Sequence, residues 1–246
     1  MKPPEYLGRL NEEQRTSHPC INCLLETEDR IRNGDFDGVS AGDKIWYKTY
    51  KAEIEKLAKV LTMYQPKTLI EVGSGSGRII QTILDVLPNA KINGIEFNKQ
   101  TFDFVKKRFS NNNMVKIEKN DIYYYLSNEG VYDMAICLMN TFGNINDVEV
   151  FRRIVSHSNY FVFSLYNKKL DNQRKSMYEA RGHTNFNFVN EQYCFQDDWI
   201  KGLISRSYTK EEIKNLVTKS GSDIIELEPI ELLYFGIAKK INNFLL

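Results

Sequence analysis

The stretch Thr68-Leu-Ile-Glu-Val-Gly-Ser-Gly-Ser-Gly-Arg78 decides the fold of this chain. It begins with a short apolar and β-branched run and continues with three closely spaced glycines. Isoleucine and leucine residues then recur at helical spacing from Ile79 to Leu87. The pattern predicts a strand, a tight glycine turn and a helix. Glycine accepts positive φ and leaves the backbone accessible, and the first amides of a helix lack partners, so we expect a ligand at this turn.

The spacing of the glycines bears on the kind of ligand. Dinucleotide-binding folds use G-x-G-x-x-G, whereas this turn has G-x-G-x-G with Glu71 two residues ahead of it. A carboxylate at this place suits the ammonium of an amino acid better than a pyrophosphate. The motif resembles the first motif of class I methyltransferases that use S-adenosylmethionine (SAM). The resemblance implies that five residues of the motif bind this cofactor: Glu71, Gly73, Ser74, Gly75 and Gly77.

Acidic residues follow the second and third predicted strands. Glu96 ends the second strand about twenty residues after the glycine turn, where an acid in nucleotide-binding folds holds the ribose hydroxyls. In the resembled family an acid after the third strand, here Asp121, meets the adenine amine, and Ile122 packs on the ring. The alternatives are an exposed strand-end carboxylate for Glu96 and a helix N-cap for Asp121. The resemblance also assigns Phe97 and Leu138 to the cofactor site.

A loop of six residues, Met139-Asn-Thr-Phe-Gly-Asn144, follows the fourth predicted strand. It resembles the corresponding loop of small-molecule methyltransferases of the glycine and sarcosine N-methyltransferase type. Ligands of open α/β sheets lie at the carboxyl ends of the strands where the connections change direction, so we expect Asn140 near the reacting methyl group. The alternative is that it supplies only turn hydrogen bonds. The loop lacks the Pro-Pro-aromatic arrangement that would hold a flipped base, which disfavours base methylation.

The resemblance extends over residues 43–240, outside the region after the fifth strand, and implies an α/β fold. We expect a seven-stranded, mostly parallel, doubly wound sheet in the order 3-2-1-4-5-7-6, with an antiparallel C-terminal hairpin strand. We expect residues 1–246 to form one methyltransferase domain. Residues 1–43 would form an N-terminal lid, and residues 168–206 an insertion after strand 5 that covers the substrate.

Candidates for the acceptor end lie on both sides of this insertion. A nucleophile that must lose a proton needs a general base, and our candidates are Tyr166, at the end of the fifth strand, and His183, inside the insertion. An acceptor that arrives as a neutral amine needs only orientation. Two short strands are predicted in the insertion, around Tyr193 and Leu203. Before the first strand, a helix capped by Asp43 is predicted to contribute aromatic side chains to the mouth of the pocket or to the core.

Composition and charge limit the classes of partner. The chain has 33 Lys and Arg residues against 32 Asp and Glu, a formal charge of +1, so no global field attracts a phosphate backbone. No apolar run approaches the length of a membrane span, and the N-terminus lacks an apolar signal core. Cys20 and Cys23 have no second ligand pair at a metal-binding distance. We therefore expect a cytoplasmic protein with neither membrane nor nucleic-acid partners and with no metal site.

The sequence thus predicts an enzyme that transfers a methyl group from SAM to an amine or hydroxyl of a small molecule. The reaction would be an in-line displacement, for which alignment and exclusion of water are the main requirements. The alternatives are a tRNA or protein methyltransferase and a SAM-binding protein without catalysis. A nicotinamide oxidoreductase is disfavoured by the glycine spacing and by the terminal hairpin.

Overall fold

A computed structural model describes residues 30–31, 33–34, 36–126, 130–180, 182–197 and 202–241. Most of the expected N-terminal lid, including Cys20 and Cys23, lies outside the described residues. Within the described ranges, no helix combines the length and the apolar character that crossing a membrane requires.

The first part of the chain alternates helices and parallel strands. Ser40 caps helix α1 by accepting a hydrogen bond from the Asp43 amide, so the helix begins earlier than the predicted cap at Asp43. The elements are α1 (Ala41–Tyr64), β1 (Thr68–Val72), α2 (Arg78–Val86), β2 (Lys91–Glu96), α3 (Lys99–Arg108), β3 (Val115–Lys119), α4 (Ile122–Tyr125) and β4 (Tyr132–Cys137). Each strand therefore ends close to the start of the following helix.

The second part of the chain contains the insertion and the terminal hairpin. Thr209 and Glu212 form the predicted capping box at the start of the last helix. The elements are α5 (Thr141–Ile145), α6 (Val148–Ser156), β5 (Ser158–Asn167), α7 (Asp171–Ala180), β6 (Phe186–Val189), β7 (Gln192–Phe195), β8 (Ile204–Tyr208), α8 (Lys210–Lys219), β9 (Ser222–Ile230) and β10 (Leu233–Lys240).

The sheet confirms the predicted fold class and strand order. Strands β3, β2, β1, β4 and β5 are neighbours in that order and parallel, and antiparallel β10 lies between β5 and β9. If the strands of the insertion are left out, β9 is the sixth strand and β10 the seventh. The order is then 3-2-1-4-5-7-6, as predicted. Apolar side chains of α1, α2 and α3 pack on one face of the sheet, and those of α4, α6 and α8 pack on the other. The sheet is therefore doubly wound.

The insertion contains more structure than the sequence predicts. Its described residues form three strands instead of two, and helix α7 was not predicted. Strand β6 is largely exposed and lacks an alternating burial pattern, while α7 buries only Arg174, Met177 and Tyr178. Neither element has the apolar periodicity on which sequence-based assignment depends.

Strand β5 extends beyond the end of β4, and the insertion uses this extension. Pairing of β4 with β5 ends at Cys137 and Phe163. Further along β5, Tyr166 and Asn167 pair in parallel with residues of β8. Strand β8 therefore lies next to the point where the chain leaves β4, which brings the insertion to the expected acceptor end of the site.

Candidate functional site

The glycine turn between β1 and α2 has the backbone geometry that its sequence predicts. Gly73, Gly75 and Gly77 adopt φ values of 77°, 53° and 82°, a region that L side chains enter only with strain. The amides of Gly73 and Ser74 donate hydrogen bonds to the Ile95 carbonyl at 2.9 and 3.1 Å. The Ser74 hydroxyl is buried and has no partner among the described residues. The turn is thus fixed to β2 and retains an unused polar group.

The three glycines meet different surroundings. A Cβ atom at Gly77 would lie 2.5 Å from the Phe109 ring, and one at Gly73 would lie 2.7 Å from the Thr141 side chain. These two positions require glycine because neighbouring side chains pack against them. At Gly75 the nearest described atom would be 3.9 Å away. Its backbone is therefore the part of the turn that a ligand can approach closely.

Two buried carboxylates stand at the carboxyl ends of adjacent strands. Glu71 lies on β1 between its paired neighbours on β2 and β4 and is 3% exposed. Glu96, at the end of β2, accepts hydrogen bonds from the amides of Gly75 at 2.9 Å and Asn98 at 2.8 Å. Glu96 is buried rather than exposed, so the alternative of an exposed strand-end carboxylate does not describe it. Its carboxylate already orders the glycine turn.

The remaining predicted cofactor residues occupy the same end of the sheet. Asp121 caps α4 by accepting a hydrogen bond from the Tyr123 amide at 2.9 Å, which is the alternative role given for it above and is compatible with an adenine contact. Ile122 and Leu138 are buried in the two apolar clusters on opposite faces of the sheet. Phe97 is half-buried directly after β2. The adenine contacts that the resemblance implies for these residues stay predictions.

A buried ion pair beside the glycine turn was missed in the sequence. Glu53 of α1 is fully buried, and its Oε2 accepts a hydrogen bond from Nη2 of Arg78 at 2.9 Å. The Arg78 guanidinium lies 4.3 Å from the centre of the Tyr50 ring. Burial alone lowers the pKa of Arg78, but Glu53 and Tyr50 raise it, and the net direction is upward. The available signal was a carboxylate on the apolar side of a helix, between Tyr50 and Leu57.

Both polar atoms of the Asn140 side chain have a partner within the protein. Its Oδ1 accepts a hydrogen bond from the Tyr166 amide at 3.0 Å, and its Nδ2 donates to the Ser205 hydroxyl at 3.2 Å. Its backbone is left-handed, with φ of 59°, as is that of Met139 with φ of 49°. Asn140 thus joins the exits of β4 and β5 to strand β8. The alternative role for Asn140 was to supply hydrogen bonds within its own turn. The structure shows that its side chain also bonds residues of β5 and β8.

The two candidate bases both contact Tyr178 of the insertion. The ring centroids of Tyr166 and Tyr178 are 6.3 Å apart, and those of Tyr178 and His183 are 5.6 Å apart. Burial, and then Tyr178, raise the pKa of Tyr166 well above its ordinary value, although Arg174 opposes this. Tyr166 is therefore a neutral hydroxyl near pH 7, which suits a hydrogen-bond donor better than a base. His183 is buried, with Nδ1 3.9 Å from Oδ2 of Asp197.

A buried arginine organises the insertion and was also missed. Arg174 is 1% exposed, and its guanidinium lies 4.5 Å from the Tyr193 ring centre and 5.1 Å from that of Tyr166. It donates a hydrogen bond to the Ser205 carbonyl at 3.2 Å. Its Nη2 lies 3.0 Å from Oδ1 of Asp171, without hydrogen-bond geometry. The Asp-x-x-Arg spacing was a visible signal, but it is equally typical of exposed helices.

Comparison with known proteins gives a short sequence match and many structural ones. No protein-family model matches the chain. A tRNA N(3)-methylcytidine methyltransferase of Schizosaccharomyces pombe is 43% identical over 58 residues. That alignment covers 23% of this chain and 23% of the relative.

Solved structures resemble the chain over most of its length. A SAM-dependent methyltransferase from Clostridium acetobutylicum has a TM-score of 0.61 at 12% identity, covering 90% of this chain and 99% of that one. Magnesium protoporphyrin IX methyltransferase from Synechocystis, with bound SAM, has a TM-score of 0.61 at 11% identity, covering 94% and 98%. The methyltransferase domain of a bacterial Hen1 protein has a TM-score of 0.58 at 13% identity, covering 78% and 99%. The chain therefore has the fold of class I SAM-dependent methyltransferases.

Proposed function

We propose that this protein is a SAM-dependent methyltransferase that moves a methyl group to an amine or hydroxyl of a small molecule by in-line displacement. One observation carries the proposal. The open backbone of Gly75 lies beside the buried carboxylate of Glu96, at the carboxyl end of a sheet of the methyltransferase fold. Open α/β sheets bind their ligands at this end, where the chain connections change direction.

The residues at this end fit the chemical groups of SAM. Glu71 would receive the ammonium group, and Glu96 the ribose hydroxyls. Asp121 would accept the adenine amine while Ile122 packs on the ring. The approach of the ligand to the backbone would occur at Gly75, where a Cβ atom would have no close neighbour among the described residues. Gly73, Ser74, Gly77, Phe97 and Leu138 complete the proposed cofactor site.

The proposed chemistry makes modest demands on the protein. When bound, SAM supplies a methyl group on a sulfonium from which a neutral thioether can leave. The protein must align the acceptor and exclude water rather than protonate a leaving group. In this proposal the Tyr166 hydroxyl donates a hydrogen bond near the acceptor, and Asn140 positions Tyr166 through its backbone amide. His183, held near Asp197, is the base for an acceptor that must lose a proton.

Two observations support a small-molecule acceptor. The balanced charge provides no general attraction for nucleic acid. The loop after β4 forms helix α5 instead of an extended loop. The side-chain carboxamide of Asn140 is already bonded to Tyr166 and Ser205. The two contacts fix this side chain within the protein, so it is a positioning group rather than an open amide of the kind that holds a flipped base. The likeness to glycine and sarcosine N-methyltransferases remains part of this proposal.

A tRNA acceptor is the second candidate. It is favoured by the match of 58 residues to a tRNA N(3)-methylcytidine methyltransferase. Incubation with methyl-labelled SAM and, separately, total tRNA, total protein and a small-metabolite extract distinguishes the classes. We expect label in the metabolite fraction. Label in tRNA or protein would replace the small-molecule proposal, and SAM binding with no labelled product in any fraction would favour a SAM-binding protein without catalysis.

Calorimetric titration with SAM, S-adenosylhomocysteine (SAH) and NADH tests the cofactor. We expect the two adenosyl compounds to bind and NADH not to bind. Glu96→Ala should weaken both adenosyl compounds at least about tenfold, because it removes the proposed ribose contact and a charged acceptor of the Gly75 amide. Glu211→Ala changes an exposed carboxylate on α8 and serves as the control. Binding of NADH alone would overturn the proposal, and unchanged SAM affinity in Glu96→Ala would overturn the ribose assignment.

A further inference from the structure

The Glu53 carboxylate connects three elements at the ligand end of the sheet. Its Oε2 takes the hydrogen bond from Arg78, the first residue of the helix after the glycine turn. Its Oε1 accepts a hydrogen bond from the Met139 amide at 2.8 Å and another from the Ser164 hydroxyl. Helix α1 thereby holds the cofactor turn and the exits of β4 and β5 with a single side chain.

The Met139 amide belongs to a turn that needs external support. Met139 and Asn140 are consecutive, neither is glycine, and both are left-handed. Such a conformation costs free energy and persists where the surrounding structure fixes it. The Glu53 carboxylate accepts the hydrogen bond of the Met139 amide, and the Ser164 carbonyl accepts that of the Asn140 amide at 3.2 Å. The conformation of this turn therefore depends on the Glu53 acceptor.

The Met139–Asn140 turn positions residues at the expected acceptor end of the site. With its backbone held, Asn140 bonds the Tyr166 amide and the Ser205 hydroxyl. The Ser205 hydroxyl also shares a hydrogen bond of 2.7 Å with the Tyr178 hydroxyl. A continuous series of contacts runs from Arg78 through Glu53 and the turn to the tyrosines of the insertion.

We propose that Glu53 is a positioning residue that couples the cofactor turn to the acceptor end by holding the Met139–Asn140 turn. Its action depends on the hydrogen bond from Oε1 to Met139, whereas the ion pair with Arg78 stabilises the buried carboxylate. The inference rests on the proposed function, which places the transferable methyl group beside this turn. SAM and SAH differ only in that methyl group and its positive charge, so displacement of the turn should affect SAM more.

Two substitutions separate the hydrogen bond from the charge. Glu53→Leu removes both the acceptor and the ion pair. Glu53→Gln removes the charge but retains a carbonyl oxygen with two lone pairs for Met139 and Ser164. Glu55→Gln is the matched control, because Glu55 lies on the same helix with its side chain 60% exposed. For each protein we would measure the melting temperature, hydrogen exchange at the Met139 amide, and affinities for SAM and SAH by calorimetry.

We expect both Glu53 variants to melt at lower temperature, because each leaves Arg78 without its carboxylate. The other two measurements should separate them. In Glu53→Leu, exchange at Met139 should accelerate at least about tenfold, and the ratio of SAM to SAH affinity should fall at least about fivefold. Glu53→Gln should retain protection at Met139 and an affinity ratio within about twofold of the unsubstituted protein.

Equal loss of the affinity ratio in both variants would assign the effect to charge and overturn the positioning role. An unchanged ratio in Glu53→Leu would overturn it as well. If Glu53→Leu does not fold, Glu53→Gln decides alone, because loss of Met139 protection in that variant contradicts the proposal and its retention supports it. Failure of the unsubstituted protein to bind SAM and SAH would instead contradict the proposed function.

Discussion

In the cofactor half, residues 68–138, Glu96 orders the glycine turn through contacts of shorter range along the chain than those that join the insertion, residues 168–206, to the rest of the protein. In the cofactor half, Glu96 bonds amides 2 and 21 residues away. Contacts of the insertion join Asn140 to Ser205 across 65 residues and Arg174 to Ser205 across 31. A short motif can specify the first kind of contact. The second kind requires the sheet to bring distant segments together.

The two regions also use buried charge differently. In the cofactor half, Glu96 orders a turn whose backbone stays open at Gly75. In the insertion, Arg174 is enclosed by tyrosine rings and bonded to the backbone of β8. The first arrangement leaves room for a ligand, whereas the second fills its own space. A buried charge at this end of the sheet is therefore not by itself a ligand site.

The largest expected effect is the loss of Arg174 from the insertion. Arg174→Met leaves Asp171 without its cation and should lower the free energy of unfolding by about 3–5 kcal/mol. Denaturant unfolding gives the value. Lys175→Ala, on the same helix with its side chain 54% exposed, should change it by no more than about 0.5 kcal/mol. A double variant with Asp171→Asn should recover part of the loss, because no unpaired carboxylate then remains. A loss below about 1 kcal/mol would show that Arg174 does not organise the insertion.

Two glycines of one turn should respond in opposite ways. Gly77→Ala places a methyl group against Phe109 in a left-handed position and should destabilise the protein by about 2–4 kcal/mol. Gly75→Ala meets no close neighbour among the described residues and should cost only about 1 kcal/mol. It should nevertheless weaken SAM binding at least about tenfold, because the methyl group occupies the approach to the backbone. Thermal unfolding and calorimetry give both values, and full SAM affinity in Gly75→Ala would contradict an open ligand site there.

The amino ends of β1 and β4, at the opposite end of the sheet from the glycine turn, offer a smaller effect that is independent of ligand. Amides of Lys67 and Thr68 donate hydrogen bonds to the Asp133 carboxylate at 2.9 and 3.0 Å. Burial raises the pKa of Asp133, but these bonds lower it by more, and the net direction is downward. The contribution to stability is therefore present above pH about 4 and is lost as the pH falls through the folded-state pKa.

Asp133→Asn should accordingly lower the free energy of unfolding by about 1 kcal/mol at pH 7 and by less at pH 3. SAM affinity should not change, since Asp133 lies at the amino end of β4. Denaturant unfolding at the two pH values checks the first statement, and calorimetry checks the second. An equal loss at both pH values would show that the ionised carboxylate is not what stabilises this end of the sheet.

The smallest expected effect concerns Tyr166, where the prediction is no change. Because the pKa of Tyr166 is raised well above its ordinary value, its phenol should stay neutral in the folded protein at a pH where ordinary exposed tyrosines begin to ionise. Absorbance at the tyrosinate band should therefore be the same for Tyr166→Phe and the unsubstituted protein. In guanidinium chloride the two should differ by one of the 14 tyrosines. A difference in the folded state would restore Tyr166 as a base.

Much of the fold was predictable because its signals are local. The glycine turn, the capping box at Thr209 and the N-cap at Asp121 each depend on residues within one or two turns of chain. The order of strands was implied by the family resemblance that these local motifs carry. Helix α7 and strand β6 were not predictable, because α7 buries Arg174 and β6 is mostly exposed. The start of α1 differed for a smaller reason, since Ser40 and Asp43 are both competent caps.

The sequence by itself determined the glycine turn and the acids at the ends of the first three strands, because apolar periodicity and turn chemistry act over short distances, and its resemblance to a known family implied the doubly wound sheet. Only the tertiary structure decided what surrounds those acids. It joined Glu53 to Ser164 across 111 residues and placed β8 against the end of β5. It also buried Asn140, which the sequence placed in a loop, and bonded its side chain to Tyr166 and Ser205. These outcomes depend on side chains finding partners that are distant in the chain, which no local pattern encodes.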